Sequence, residues 1–283
     1  MRTFLVLLMV CSAGLLMAAR NADVSPNPGT PGAGDADLVD LDYFDLEALG
    51  ASNRCVGIGY DGTNFWVTDA QSDGGPLWIH IISGTSPYTL ITTVDQNGFS
   101  SGWGLRDLCW DGTYMYGSES SQVDYYDNSY AKVGSYTCSA VSPNRAQAWD
   151  GTYFYTGSFS AEIYQVDWDG VSGSSASYTT WSSAVANGGT YGAAWDYTNN
   201  CLWVSTASCD GMLYQIDDTG SLIASWDLNP EVNMAGGCTM GDYGTDSEEL
   251  WVLEQGDVDG VYCFETSPLS LQRDTWGAIK TVF

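Results

Sequence analysis

The sequence is short of positive charge. Eight lysines and arginines stand against 35 aspartates and glutamates in 283 residues, giving a formal net charge of −27. A nucleic-acid-binding protein needs a basic footprint to displace counterions, so nucleic acid is excluded as a partner. Anionic membrane surfaces are excluded on the same ground. The chain has one histidine, His80. A Ser-His-Asp triad would have to use it, and no GxSxG elbow accompanies it. No HExxH or paired CxxC spacing is present, so neither a metal site nor a cofactor is expected. Beyond residues 1–19 no apolar run is long enough to span a bilayer, so no membrane span is expected once that leader is removed.

What the sequence does contain is a repeat. Residues 146–170, AQAWDGTYFYTGSFSAEIYQVDWDG, read as strand, Asp-Gly turn, strand, polar turn, strand and a second Asp-Gly turn. Asp-Gly supplies the positive-φ geometry of a tight hairpin, and Tyr153-Phe154-Tyr155 suits a pleated, half-buried surface. The turn aspartate recurs at Asp61, Asp111, Asp150, Asp196 and Asp242, at spacings from 39 to 50 residues. The third strand recurs as VDYYD, IYQVD, LYQID and VYCFE, with LWIHI as a looser equivalent. A period of about 40–50 residues with four strands per unit is the mark of a β-propeller, in which each sheet buries its faces against its neighbours. The fifth unit ends at Glu265 without a fourth strand, and LDYFDL (41–46) matches IASWDL (223–228) in kind and position. The expected fold is therefore all-β: a five-bladed propeller of four-stranded blades, closed by the N-terminal strand, which removes an open sheet edge.

The domain plan follows. Residues 1–19 have the charged start, apolar stretch and small residues of a secretory signal. Residues 20–38, rich in Pro, Gly and Asp, read as a disordered linker. The propeller occupies 39–265, and 266–283 form a C-terminal tail. Such a protein is expected to be secreted or held at the cell surface, with a periplasmic location as the alternative. Of eight cysteines, Cys11 falls in the leader, leaving an odd number. Cys201 and Cys209 sit too far apart along an extended strand to bridge. Cys55 and Cys238 begin innermost strands of neighbouring blades and are the best candidates for a disulfide. Asp257-Val258-Asp259-Gly260 and Asp167-Trp168-Asp169-Gly170 resemble pieces of calcium loops, but an Asp-Gly turn accounts for both.

The candidate site comes from the scarce cations. Outside the termini they are Arg54, Arg106, Lys132 and Arg145. The three arginines fall 7, 5 and 5 residues before a turn aspartate, at the start of an innermost strand in three consecutive blades. That position is the mouth of the central channel. Two readings stand: ion pairing with acids such as Asp107, or a pocket for a planar anion, which the guanidinium fork suits. Trp103, Asn144 and Tyr191 occupy comparable positions and would complete its wall. Most other tryptophans hold fixed repeat positions and read as packing between blades. His80 lies in a repeated strand position and reads as a packed residue rather than a catalytic base.

The segments GLRDLCWDGTYMYGSES and AQAWDGTYFYTGSFSAEIYQVD resemble the WDG-type repeats of secreted bacterial β-propellers, over residues 41–265. That resemblance implies the fold and no particular activity. Residues 102–127, GWGLRDLCWDGTYMYGSESSQVDYYD, are also similar to the five-bladed glutamine cyclotransferases, which carry a GWGLT…DG…SDGS segment. Here Ser118-Glu119-Ser120-Ser121 replaces the SDGS part and Ser101 replaces an acid before GWG, so no catalytic residue is carried over. The expected function is non-catalytic: binding of a small anionic ligand, a glycan or a protein partner at the channel mouth, outside the cell. The rivals are a glutamine cyclotransferase-like enzyme and a structural or cell-surface scaffold. An enzyme would place acids of shifted pKa beside Trp103. A scaffold would show a large exposed apolar patch instead.

Overall fold

The computed structural model describes residues 38, 40–70, 76–96, 102–185, 189–206, 211–241, 249–256 and 258–266. The expected leader, the linker through residue 37, the tail from residue 267, and Cys209, Asp242 and Asp257 lie outside them.

The described residues form five antiparallel sheets of four strands. The first blade holds β2 (Cys55–Tyr60), β3 (Asn64–Asp69), β4 (Trp78–Ser83) and β5 (Leu90–Asp95). The second holds β6 (Leu108–Trp110), β7 (Met115–Ser118), β8 (Gln122–Tyr126) and β9 (Lys132–Thr137). The third holds β10 (Ala146–Trp149), β11 (Phe154–Gly157), β12 (Ile163–Asp167) and β13 (Ser177–Ser182). The fourth holds β14 (Thr190–Asp196), β15 (Cys201–Thr206), β16 (Met212–Asp217) and β17 (Leu222–Asp227). The fifth is β18 (Ala235–Met240), β19 (Glu249–Gln255) and β20 (Asp259–Glu265), with β1 (Asp40–Asp45) as its outer strand. The first strands β2, β6, β10, β14 and β18 each touch the next, and β18 touches β2, so the ring is closed. The N-terminal strand seals it as the repeat implies. Asp42 faces Cys263, Phe44 faces Val261, and the Leu46 amide donates to the Asp259 carbonyl at 3.0 Å.

The Asp-Gly turns show why the repeat folds as it does. Gly62, Gly112 and Gly151 take φ of 85°, 95° and 96°, which a side chain would strain. The preceding aspartate closes its own hairpin. Asp150 Oδ1 accepts the amides of Thr152 and Tyr153, both at 2.6 Å, and Oδ2 accepts the Tyr155 hydroxyl at 2.8 Å. Asp61 does the same with Thr63, Asn64 and the Trp66 indole, and Asp111 with Thr113, Tyr114 and the Tyr116 hydroxyl. The aromatic at the far end of this bond then packs between blades: Tyr155 stacks on Trp195 at 5.2 Å, and Trp66 and Trp203 are fully buried. His80 is buried in β4, with Nε2 3.0 Å from Asp69 on β3 and Nδ1 3.1 Å from Thr93 on β5. Both ring nitrogens are therefore spent on tying three strands together.

The expected Cys55–Cys238 disulfide is not formed; both thiols are free and buried. The two cysteines lie on opposite faces of the fifth blade. Cys55 packs with Phe44, Trp251 and Val261 between blades five and one, and Cys238 packs with Cys201, Trp203 and Leu228 between blades four and five. Cys55 does open its strand, but Cys238 is the fourth residue of β18 rather than the first, and the alternation of side chains across a strand turns the two to different packing layers.

Candidate functional site at one mouth of the channel

Each arginine of interest is fixed by the backbone at the base of its blade. The Arg54 carbonyl accepts the Ala70 amide just past β3, the Arg106 amide donates to Ser118 at the end of β7, and the Arg145 amide donates to Gly157 at the end of β11, all at 2.9 Å. In three blades running, the residue ahead of the innermost strand is thus paired to the end of the second strand. The structure brings the three side chains to the same end of the ring. Burial first, and then the positive charges of Arg145 and Arg54, lower the Arg106 pKa to about 9. Glu119 and Tyr191 act on Arg106 in the opposite sense. Burial also lowers Arg145, against the influence of Tyr191 and Asp107.

Rings rather than carboxylates lie against the guanidinium faces. The Arg54 guanidinium carbon is 4.1 Å from the Trp103 ring centre, and that of Arg106 is 5.4 Å from it. The Arg145 carbon is 3.5 Å from the Tyr191 ring centre and 4.8 Å from that of Phe159. Such stacking is attractive through the ring quadrupole and leaves the N–H edges to do the hydrogen bonding. Trp103 is 43% exposed and Phe159 63% exposed, whereas Trp66, Trp203 and Trp251 are buried. Phe159 meets Tyr191 edge-on at 5.6 Å, since the Thr190 amide donates to the Ser158 carbonyl at 2.5 Å and ties the two loops together.

Asp107 is not the partner of these cations. It is fully buried and sits on the channel axis. Its carboxyl accepts the amides of Ala193 at 2.8 Å and Gln147 at 3.3 Å, with Ile58 at 3.5 Å and that of Leu108 as well. A side chain at Gly237 would come within 2.1 Å of its Oδ1. One carboxyl thus touches the innermost strands of all five blades. Burial raises its pKa well above the usual carboxylate range, although those amides favour the charged form. Among the described residues, the ion pairs within 4.0 Å are His80–Asp69 and Lys132–Asp124, so neither Arg106 nor Arg145 is in one.

The outcome is a cluster of unanswered polar atoms. Arg106 and Arg145 are both more than nine-tenths buried. Arg106 Nε and Nη1, Arg145 Nε, Asn144 Oδ1, Ser158 Oγ and Thr190 Oγ1 are buried and have no hydrogen-bond partner. Only Trp251 Nε1 and Thr266 Oγ1 share that condition among the described residues. Asn144 differs from the other expected wall residues. Both hydrogens of its amide go to carbonyls, Ser120 at 2.9 Å and Cys138 at 3.0 Å, so it has no donor for an anion and presents only its oxygen. Sequence reasoning missed Phe159, Glu119 and the axial role of Asp107. Phe159 had a visible signal, a lone aromatic in the polar turn GSFS. Glu119 lies in the Ser118–Ser121 turn that holds Arg106 and Asn144, and a side chain at Gly102 would come within 3.2 Å of its Oε1. Its pKa is raised by burial, which outweighs the lowering effect of Arg106.

No protein-family model matches the chain, and no curated protein matches it either.

Proposed function

We propose that the chain is an exported, non-catalytic propeller of the WDG-repeat kind, whose arginine mouth captures an anionic ligand or partner outside the cell. One observation carries this reading: six of the buried polar atoms without partners lie at this mouth, and three of them are guanidinium nitrogens. A buried cation without a paired carboxylate costs several kcal/mol unless something else answers it. The protein is rich in acids, yet none of the described ones is within ion-pair distance of Arg106 or Arg145. A carboxylate entering from solvent would supply the acceptors, with Trp103 and Tyr191 holding the guanidinium planes in place. Thermal-shift and calorimetric titrations with acetate, citrate, neutral sugars and divalent cations test this. Organic anions should raise the melting temperature, Arg106→Ala and Arg145→Ala should abolish that rise, and added salt should weaken it. A response to the anions that survives in both variants refutes the reading, as does the absence of any response.

A second reading is an acyl-transferring enzyme of the glutamine cyclotransferase kind, and Glu119 favours it. Its carboxyl has a raised pKa within the electrostatic reach of Arg106 and close to Gly102, next to Trp103 in the chain. A carboxyl of that kind in a site is a candidate proton carrier. Release of ammonia from a peptide with N-terminal glutamine, lost in Glu119→Gln, would establish it. No release by the intact protein removes it.

A further inference from the structure

The arginine mouth is built twice over. In one half, Arg54 and Arg106 lie against Trp103, at 4.1 and 5.4 Å from the ring centre. In the other, Arg145 lies between Tyr191 and Phe159, at 3.5 and 4.8 Å. Each half therefore offers a guanidinium edge beside an aromatic ring, and Trp103 and Phe159 are partly open to solvent, at 43% and 63%. The halves are close enough for Arg145 to depress the Arg106 pKa. A ligand that matches both must repeat a ring-shaped body and an anionic group.

The unanswered atoms narrow the chemistry further. A simple ionised carboxylate only accepts hydrogen bonds. It would serve the arginine nitrogens and the hydroxyls of Ser158 and Thr190, but not the oxygen of Asn144, which is also buried without a partner. A ligand that also carries hydroxyl groups can donate to that oxygen while its carboxylate accepts. The C–H face of a pyranose ring is electropositive and suits the negative face of an aromatic ring. Hydroxyls, a carboxylate and a ring that stacks occur together in a uronic acid.

We infer that this mouth recognises an acidic oligosaccharide of at least two linked hexuronate residues, one for each arginine–aromatic half. The inference rests on the anion-binding reading above and adds the class of ligand. Isothermal titration with galacturonate, digalacturonate and trigalacturonate tests it, with citrate, a neutral gluco-oligosaccharide and a dinucleotide as comparators. The trimer should bind at least tenfold more tightly than the monomer, and the neutral sugar should not bind. Trp103→Ala and Phe159→Ala each remove a ring that is partly exposed and lies outside the packing between blades, so each should stay close to the native melting temperature while weakening trimer binding about tenfold. If citrate binds through Arg106 and the trimer gains nothing over the monomer, the oligosaccharide inference falls and the anion reading stands. If the dinucleotide binds more tightly than the trimer, the ligand is a nucleotide and the inference is wrong. If neither citrate nor any uronide binds, both readings fall together.

Discussion

The two mouths of the channel are opposite ends of the same five strands, and they are furnished differently. At the far mouth Tyr60, Trp110, Trp149, Trp195 and Met240 surround a shallow opening, one from each blade. The Asp-Gly turns lie at that end, and their aspartates are answered by their own hairpins. At the near mouth the corresponding positions differ from blade to blade. Three consecutive blades present arginines there, and buried donors and acceptors remain unanswered. Repetition at one end is what hairpin formation needs. Departure from repetition at the other end serves no such need, and the folded chain gains nothing from an unpaired cation there. Asp107 lies between the two ends and belongs to the scaffold.

Removing Asp107 should blur the comparison most. Asp107→Ala leaves the amides of Ala193 and Gln147 buried without acceptors, each costing about 1–3 kcal/mol. Urea titration at pH 7 should show a loss of about 3 kcal/mol or more, and both mouths should lose their shape. Asp150→Ala acts on the far mouth alone. It releases two amides and the Tyr155 hydroxyl at a partly exposed turn, and should cost about 1–2 kcal/mol by the same measurement while leaving anion binding intact.

A pH titration sharpens the contrast between buried acids and buried cations. Asp259 is raised to about 7, by burial first and then against the Cys55 amide, with Glu47 and Asp69 adding to the rise. The folded state then holds a proton that the unfolded state has given up, so stability falls as pH rises from about 4 to about 7. Asp259→Asn should flatten that part of the profile in chemical denaturation. The smallest effect on stability is expected at the near mouth. Arg106→Met replaces a buried, unpaired cation with an apolar chain of similar length, and should leave stability unchanged or raise it by about 1 kcal/mol. Anion binding should be lost. A large loss of stability instead would mean that Arg106 belongs to the scaffold, and the contrast between the mouths would fail.

The scaffold was legible because its signals are local. The Asp-Gly turn and the aromatic a few residues after it are read within one hairpin, and the match of LDYFDL to IASWDL revealed the missing strand. The arginines were placed at one mouth by counting from those turns. The rest depended on facing. Spacing alone could not show that Cys55, on the first blade, and Cys238, on the fifth, pack on opposite faces of the fifth blade. Nor could it show that Asp107, one residue past Arg106, turns to the axis and spends its carboxyl on amides from other blades. Asn144 has the right position for the wall, but its donors are claimed by two carbonyls that are unremarkable in sequence.

The seal between β1 and β20 has a consequence for how the protein is made. Asp42 and Cys263 are partners in one ladder, yet they belong to opposite ends of the propeller sequence. A ribosome works from one end, so β1 emerges early and must wait for its partner while four blades are synthesised. Until Glu265 is released, every nascent chain carries unpaired strand edges, which are templates for pairing with other chains. Closing so long a loop is also slow compared with forming any single hairpin. Assembly of the last blade is therefore the step at which a shortened or stalled chain is most exposed to aggregation.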